Sequence, residues 1–76
     1  MDEYLVKDLY EASFLYASGV RLLGLKDAGR FVWFAFEGKD ECENLANGYW
    51  SGAAMINAKK LTDASRTLKD RLFANK

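Results

Sequence analysis

The chain has 76 residues, with eleven basic and eleven acidic side chains, one Cys and no His or Pro. This length fits one domain over residues 1–76. The Cys and His content excludes an intrachain disulfide, a His-based catalytic triad and a His/Cys zinc site. Half of the residues are apolar, and small domains are marginally stable, so we expect some apolar surface to be buried against another copy or a partner.

The opening residues and the hydropathy argue against export and membrane insertion. Asp2 and Glu3 place acidic charge where a signal peptide carries basic charge, and no stretch approaches the ~20 apolar residues of a membrane span. A lone thiol, Cys42, suits a reducing compartment. The sequence therefore predicts a cytoplasmic protein that does not contact a membrane.

The first predicted helix covers residues 8–18. Asp8 and Glu11 have the spacing of a capping box, and apolar side chains recur every three or four positions after Asp8. Gly19 follows, where a helix end favours glycine. Upstream, residues 3–6 are short and could add an edge strand on either side of the next two strands, or stay unpaired.

Two strands of a hairpin are predicted over residues 20–25 and 30–36, joined by a turn over residues 26–29 that ends in Gly. Side chains alternate between the two faces of a strand. One face of the second strand receives Val32, Phe34 and Phe36, and the other receives Phe31, Trp33 and Ala35. Both faces are apolar, which is unusual for a sheet with one side in solvent.

A second helix is predicted over residues 40–49, with Asp40 as its cap and acidic residues in the first turn, where the helix dipole favours them. Cys42 falls on its apolar stripe and is interpreted as a packing residue. A third helix is predicted from residue 53 or 54 to Phe73, with an apolar seam at spacings of four and three.

The element order is thus (β)-α-β-β-α-α. It predicts an α+β fold of two layers, in which a small antiparallel sheet of two or three strands is packed by three helices. The chain shows no linker, repeat or low-complexity segment.

The sequence resembles a small family of uncharacterised bacterial and phage domains over nearly its whole length. The positions that carry the resemblance are Tyr4, Asp8, Leu9, Ala12, Leu15, Gly19, Leu23, Phe34, Phe36, Tyr49, Gly52, Ala58, Leu68 and Lys69. Val6 departs from the family, which usually has Thr there. The resemblance implies this fold and an intracellular bacterial or phage context. The family is one of unknown function, so the resemblance implies no catalytic residue.

No group of residues suggests an active site. Asp40, Glu41 and Glu43 form the one carboxylate cluster, and helix capping explains them better than a metal site, which needs further oxygen ligands. Gly48 and Gly52 lack the context of a phosphate-binding loop. We therefore predict a non-enzymatic protein with no catalytic residue, metal or cofactor.

The feature that most suggests a function is the second face of the hairpin, with Phe31 and Trp33 flanked by Arg21 and Arg30. One hypothesis is that a helix covers this face. Otherwise it is an exposed apolar patch, and such patches mark interaction sites. Aromatic residues beside Arg are typical interface anchors, so the favoured hypothesis is a homodimer or a protein partner.

The alternative is a domain that binds single-stranded nucleic acid. Exposed aromatic rings could stack bases while Arg21, Arg30 and a basic third helix hold phosphates. The basic residues of that helix are Lys59, Lys60, Arg66, Lys69 and Arg71. Residues 53–76 carry a net charge of +4 and residues 1–52 a net charge of −4, but the whole chain is neutral with a pI near 6.2. Nucleic-acid modules commonly have a pI above ~9, so this hypothesis is second.

Overall fold

The computed structural model describes residues 2–74 and confirms the predicted α+β order. Met1 and residues 75–76 of the predicted domain lie outside the described range. Within that range the elements are β1 (Glu3–Val6), α1 (Leu9–Ala17), β2 (Leu22–Asp27), β3 (Val32–Glu37), α2 (Lys39–Ser51) and α3 (Ala58–Ala74).

The three strands form one antiparallel sheet in the order β1-β3-β2. Tyr4 pairs with Phe36 and Val6 pairs with Phe34, so the N-terminal segment is a strand that joins the sheet beside β3. The central position suits β3, because this strand is apolar on both faces and would expose more apolar surface to solvent at an edge of the sheet.

The hairpin turn lies two residues later than predicted. Ala28 N donates to Phe31 O at 2.9 Å, which closes the turn over residues 28–31. Asp27 Oδ1 accepts a hydrogen bond from Gly29 N at 2.8 Å, and Gly29 has a φ of +91°. The Asp27 side chain thus stabilises the turn that begins at the next residue. As a result β2 extends to Asp27, and Phe31 lies in the turn rather than in β3.

One core lies on one face of the sheet. Its buried residues come from two strands, all three helices and the α1–β2 connection: Val6, Ala12, Leu15, Val20, Phe34, Phe36, Cys42 and Leu68. Because Val6, Phe34 and Phe36 share one face, the helices are collected on that face. This arrangement is the predicted two-layer fold.

The first helix is confirmed, but its capping differs in one respect. Asp8 Oδ1 accepts hydrogen bonds from Tyr10 N and Glu11 N, at 2.8 and 3.0 Å. The Glu11 carboxylate does not complete the capping box, because both of its oxygens accept from aromatic side chains of other elements.

The second helix begins at Lys39, one residue earlier than predicted, and Gly38 rather than Asp40 is its N-cap. Gly38 has a φ of +86°, and because glycine lacks a side chain it provides no capping oxygen. A glycine is favoured here because the chain turns sharply from β3 into α2 through a left-handed conformation. Asp40 lies in the first turn of the helix, together with Glu41.

The third helix begins at Ala58, so the prediction that it starts at residue 53 or 54 was wrong. Asn57 Oδ1 accepts from Lys59 N and Lys60 N, at 2.9 and 3.1 Å. This is the hydrogen-bonding pattern of a helix N-cap. The preceding residues 53–57 are a non-helical connection. No helix in residues 2–74 has the length and hydropathy needed to cross a membrane.

Candidate functional site

The face of the sheet opposite the core presents partly exposed apolar side chains. Leu5 is 41% exposed, Phe31 is 39% exposed and Trp33 is half-buried. We call Leu5, Phe31 and Trp33 the open-face patch. The core is built on the other face. Phe31 and Trp33 were predicted for this face, whereas Leu5 was missed because its place depended on β1 pairing with β3.

The two aromatic rings of the open-face patch contact each other. Their centroids lie 5.2 Å apart with an interplanar angle of 78°, an edge-to-face arrangement. Lys7 Nζ lies 4.9 Å from the centroid of Phe31, within the range of a cation–π interaction. The patch therefore has a defined aromatic surface with a cation at its edge.

Two further cations lie beside the patch. Lys26 on β2 pairs with Trp33 across the hairpin, and Arg30 precedes Phe31 in the turn. Arg21 lies at the other end of the sheet, because its carbonyl oxygen accepts from Glu37 N at 3.0 Å. Of the two arginines predicted to flank the aromatic residues, the structure places Arg30 beside Phe31 and Arg21 away from it.

An ion pair crosses the open face next to the patch. Lys26 Nζ lies 2.6 Å from Glu3 Oε1, so the pair joins the outer strands β2 and β1 over the central strand. Glu3 pairs with Glu37 and Lys26 pairs with Trp33, which puts the crossing at Ala35. Ala35 is only 1% exposed, although it is outside the core cluster.

A buried carboxylate joins β1, α1 and α2. Glu11 is 9% exposed; its Oε2 accepts from the Tyr4 hydroxyl at 2.8 Å and its Oε1 accepts from Trp50 Nε1 at 2.9 Å. Burial, with the hydrogen bond to Glu11, raises the pKa of Tyr4 to about 12. The spacing of Glu11 from Asp8 explained Glu11 as a capping residue, so no sequence pattern predicted these two hydrogen bonds.

Cys42 is fully buried in the core, as expected for a packing residue. Burial raises the pKa of its thiol, and Glu41 and Glu11 act in the same direction. A raised pKa lowers the thiolate fraction, so this environment disfavours nucleophilic chemistry. Within residues 2–74, no three Cys, Asp or Glu side chains are grouped as metal ligands.

The basic residues of α3 do not share one face. Lys59 Nζ pairs with Asp63 Oδ2 at 2.9 Å. Lys69 lines a groove that also contacts Arg30, whereas Lys60 lies beside Tyr16 on another side of the helix. The other two, Arg66 and Arg71, are exposed. Of these five cations, the structure brings Lys69 close to the turn end of the sheet.

Comparison with known proteins bears on the family alone. No curated protein and no solved structure matches the chain. The profile of a domain of unknown function, DUF5659, matches residues 1–74. This match covers nearly the whole chain and confirms the family resemblance drawn from the sequence, and the chain therefore belongs to the DUF5659 family.

Proposed function

We propose that the protein is a small non-enzymatic interaction module that forms a homodimer through the open face of its sheet. In this proposal it is cytoplasmic and of bacterial or phage origin, as the family resemblance implies; a free, buried thiol suits that compartment. The observation that carries the proposal is the open-face patch, an apolar surface on the face that the helices leave open.

The composition of the patch suits a protein interface. Aromatic residues and Arg are enriched in protein interfaces, and Trp, Tyr and Arg are enriched among the residues that dominate binding energy. The patch is drawn from β1, from β3 and from the turn before β3, so Leu5, Phe31 and Trp33 form one surface. A domain of this size gains stability when such a surface is buried against a second copy.

The charges on the open face favour a second copy as the partner. Glu37 and Glu3, the latter paired with Lys26, lie at one end of the face with Arg21, while Lys7 and Arg30 lie at the other end without a carboxylate partner among the described residues. A twofold axis that lies parallel to the sheet and perpendicular to the strands puts the end with Glu3 and Glu37 of each copy over the end with Lys7 and Arg30 of the partner. The face is thus complementary to itself when the two sheets are stacked in this orientation.

Light scattering coupled to size exclusion over a dilution series tests the proposal. We expect a dimer mass at tens of micromolar that falls toward the monomer mass on dilution. Phe31→Lys and Leu5→Lys should each weaken the dimer about tenfold or more, because an unpaired ammonium group would be buried in the interface. Met55→Lys is the matched control, because Met55 is apolar, 95% exposed and in the connection before α3.

Circular dichroism confirms that each variant is folded. A monomer mass at every concentration would contradict the dimer. If Phe31→Lys and Leu5→Lys dimerise as well as Met55→Lys, the interface lies elsewhere on the molecule.

We propose single-stranded nucleic acid as a second candidate partner, because Lys7, Lys26 and Arg30 surround two accessible aromatic rings. Stacking on aromatic residues contributes about 1–3 kcal/mol per base, and cations hold the phosphates. Fluorescence anisotropy of a labelled oligonucleotide tests this candidate. Binding should weaken in Trp33→Leu, should weaken with added salt, and should be unchanged in Lys60→Gln. Unchanged anisotropy at low salt and excess protein would exclude it.

A further inference from the structure

A groove of about 590 Å³ lies where the β2–β3 turn, the segment after β1 and the C-terminal half of α3 meet. Its surface is mainly apolar, with Leu9, Val32, Phe34 and Leu72 among the lining side chains. Small-molecule sites in proteins are typically ~300–1,000 Å³ and largely apolar with a few polar groups. The groove and the open-face patch share one side chain, that of Phe31.

Three cations from separate elements line this groove. Lys7 follows β1, Arg30 lies in the turn, and Lys69 projects from α3. Among residues 2–74, the two ion pairs are Lys26–Glu3 and Lys59–Asp63, so neither involves these three side chains. The groove therefore combines an apolar surface with positive charge that has no anionic partner in the described part of the chain.

The carboxylate that lines the groove does not neutralise this charge. Asp27 is the acidic residue in the lining, and its Oδ1 accepts from Gly29 N within the turn. Among the described lining residues, three cations against one carboxylate leave a positive potential, and low-dielectric walls concentrate such a potential in a cleft. An anionic group would be attracted to the mouth of the groove, while its apolar part would lie against the lining.

We infer that the groove binds a small amphipathic carboxylate, of the kind represented by a medium-chain fatty acid. The alkyl chain contacts Val32 and Leu72, and the carboxylate lies among Lys7, Arg30 and Lys69. The Arg30 guanidinium offers paired donors that match a carboxylate. A nucleic-acid strand fits less well, since it requires a groove that follows the backbone rather than a short apolar depression. The groove adjoins the proposed dimer surface through Phe31, Lys7 and Arg30, but the inference does not require the dimer.

Calorimetric titration with decanoate, decan-1-ol and acetate tests the inference. Decanoate should bind one equivalent per chain. Decan-1-ol, which keeps the chain and lacks the charge, should bind at least tenfold more weakly, and acetate should show no binding. Amide shifts in NMR spectra should locate decanoate at Gly29 and Val32.

Two charge-removing variants identify the cations. Lys69→Gln and Arg30→Gln should each lower decanoate affinity severalfold without changing decan-1-ol affinity. Lys60→Gln, an exposed lysine of the same helix outside this groove, should leave both affinities unchanged. Equal affinity for decanoate and decan-1-ol would overturn the inference. So would an unchanged affinity in both variants, or amide shifts caused by an oligonucleotide but not by decanoate.

Discussion

Glu11 shows how one side chain can tie together elements that are distant in sequence. Its carboxylate is buried and accepts from two neutral donors, Tyr4 and Trp50. A buried carboxylate is tolerated only when its oxygens are hydrogen-bonded. The same contact fixes the position of Trp50, although that residue is 61% exposed. Glu11 therefore stabilises the junction of β1, α1 and α2.

The Tyr4–Glu11 hydrogen bond makes a prediction about alkaline pH. The pKa of Tyr4 is raised from 10.0 to about 12 in the folded protein. The native state then keeps a proton that the unfolded chain releases, so this stabilisation is present below pH 10 and is lost as the pH rises toward 12. Tyr4→Phe should reduce the loss of unfolding free energy over this pH range, as measured by urea unfolding at several pH values.

The matched control is Tyr10→Phe, because Tyr10 is exposed on α1. It should keep the wild-type pH dependence. If Tyr4→Phe loses stability as steeply as the wild type above pH 10, the hydrogen bond does not govern the alkaline behaviour.

Two glycines at the end of α2 have opposite roles. Gly48 is helical, and an added Cβ would lie 3.9 Å from the Cβ of Ala54, an ordinary contact. Gly52 ends the helix with a φ of +81°. Gly48→Ala should raise the unfolding free energy by about 0.5–1 kcal/mol, because alanine favours a helix and restricts the unfolded chain. Gly52→Ala should lower it by about 1 kcal/mol, because a side chain is strained in the left-handed conformation.

Urea unfolding of the two variants measures both effects, and their opposite signs are the critical result. A loss of stability in Gly48→Ala would mean that the connection after α2 packs too closely on the helix to admit a methyl group.

Sequence patterns predicted the structure correctly where the position of a residue depended only on its neighbours in the sequence. Alternation in β3 correctly separated Phe34 and Phe36 from Trp33, and Asp8 correctly marked the start of α1. The start of α3 could not be predicted in this way, because the alanines at 53 and 54 are good helix formers and extend the helical pattern toward the N-terminus. The left-handed turn at Gly52 and the cap at Asn57 override that preference.

The composition of the candidate site depended on the pairing of strands that are distant in sequence. Phe31 and Trp33 could be assigned to one face from alternation alone, but their neighbours could not. The register of β1 with β3 adds Leu5 to the patch, and the register of β2 with β3 places Lys26 rather than Arg21 beside Trp33. A shift of the turn by two residues changes which residues pair across the hairpin. It does not change the face on which each side chain lies, because side chains alternate between the faces with a period of two.

At the scale of the whole molecule, a single core unites both layers, and Cys42 lies within it. Its thiol should therefore react with an alkylating reagent only when the domain opens. We expect labelling of the native protein to be slower than that of the unfolded chain by a factor on the order of 10³ or more. Mass spectrometry during labelling, with and without denaturant, measures the ratio. Rapid labelling of the native protein would show that α2 detaches while the rest stays folded.

The pairing of β1 with β3 also has a consequence for how the chain is made. During translation β1 emerges before its partner residues on β3, which extend to Glu37, and Leu68 of the core comes later still. We expect β1 to remain unpaired in the nascent chain, with Tyr4, Leu5 and Val6 exposed. Charged residues flanking an unpaired apolar strand hinder aggregation. This segment is flanked by three charged residues, Asp2, Glu3 and Lys7. They would hinder aggregation of the growing chain until the partner strand β3 has left the ribosome.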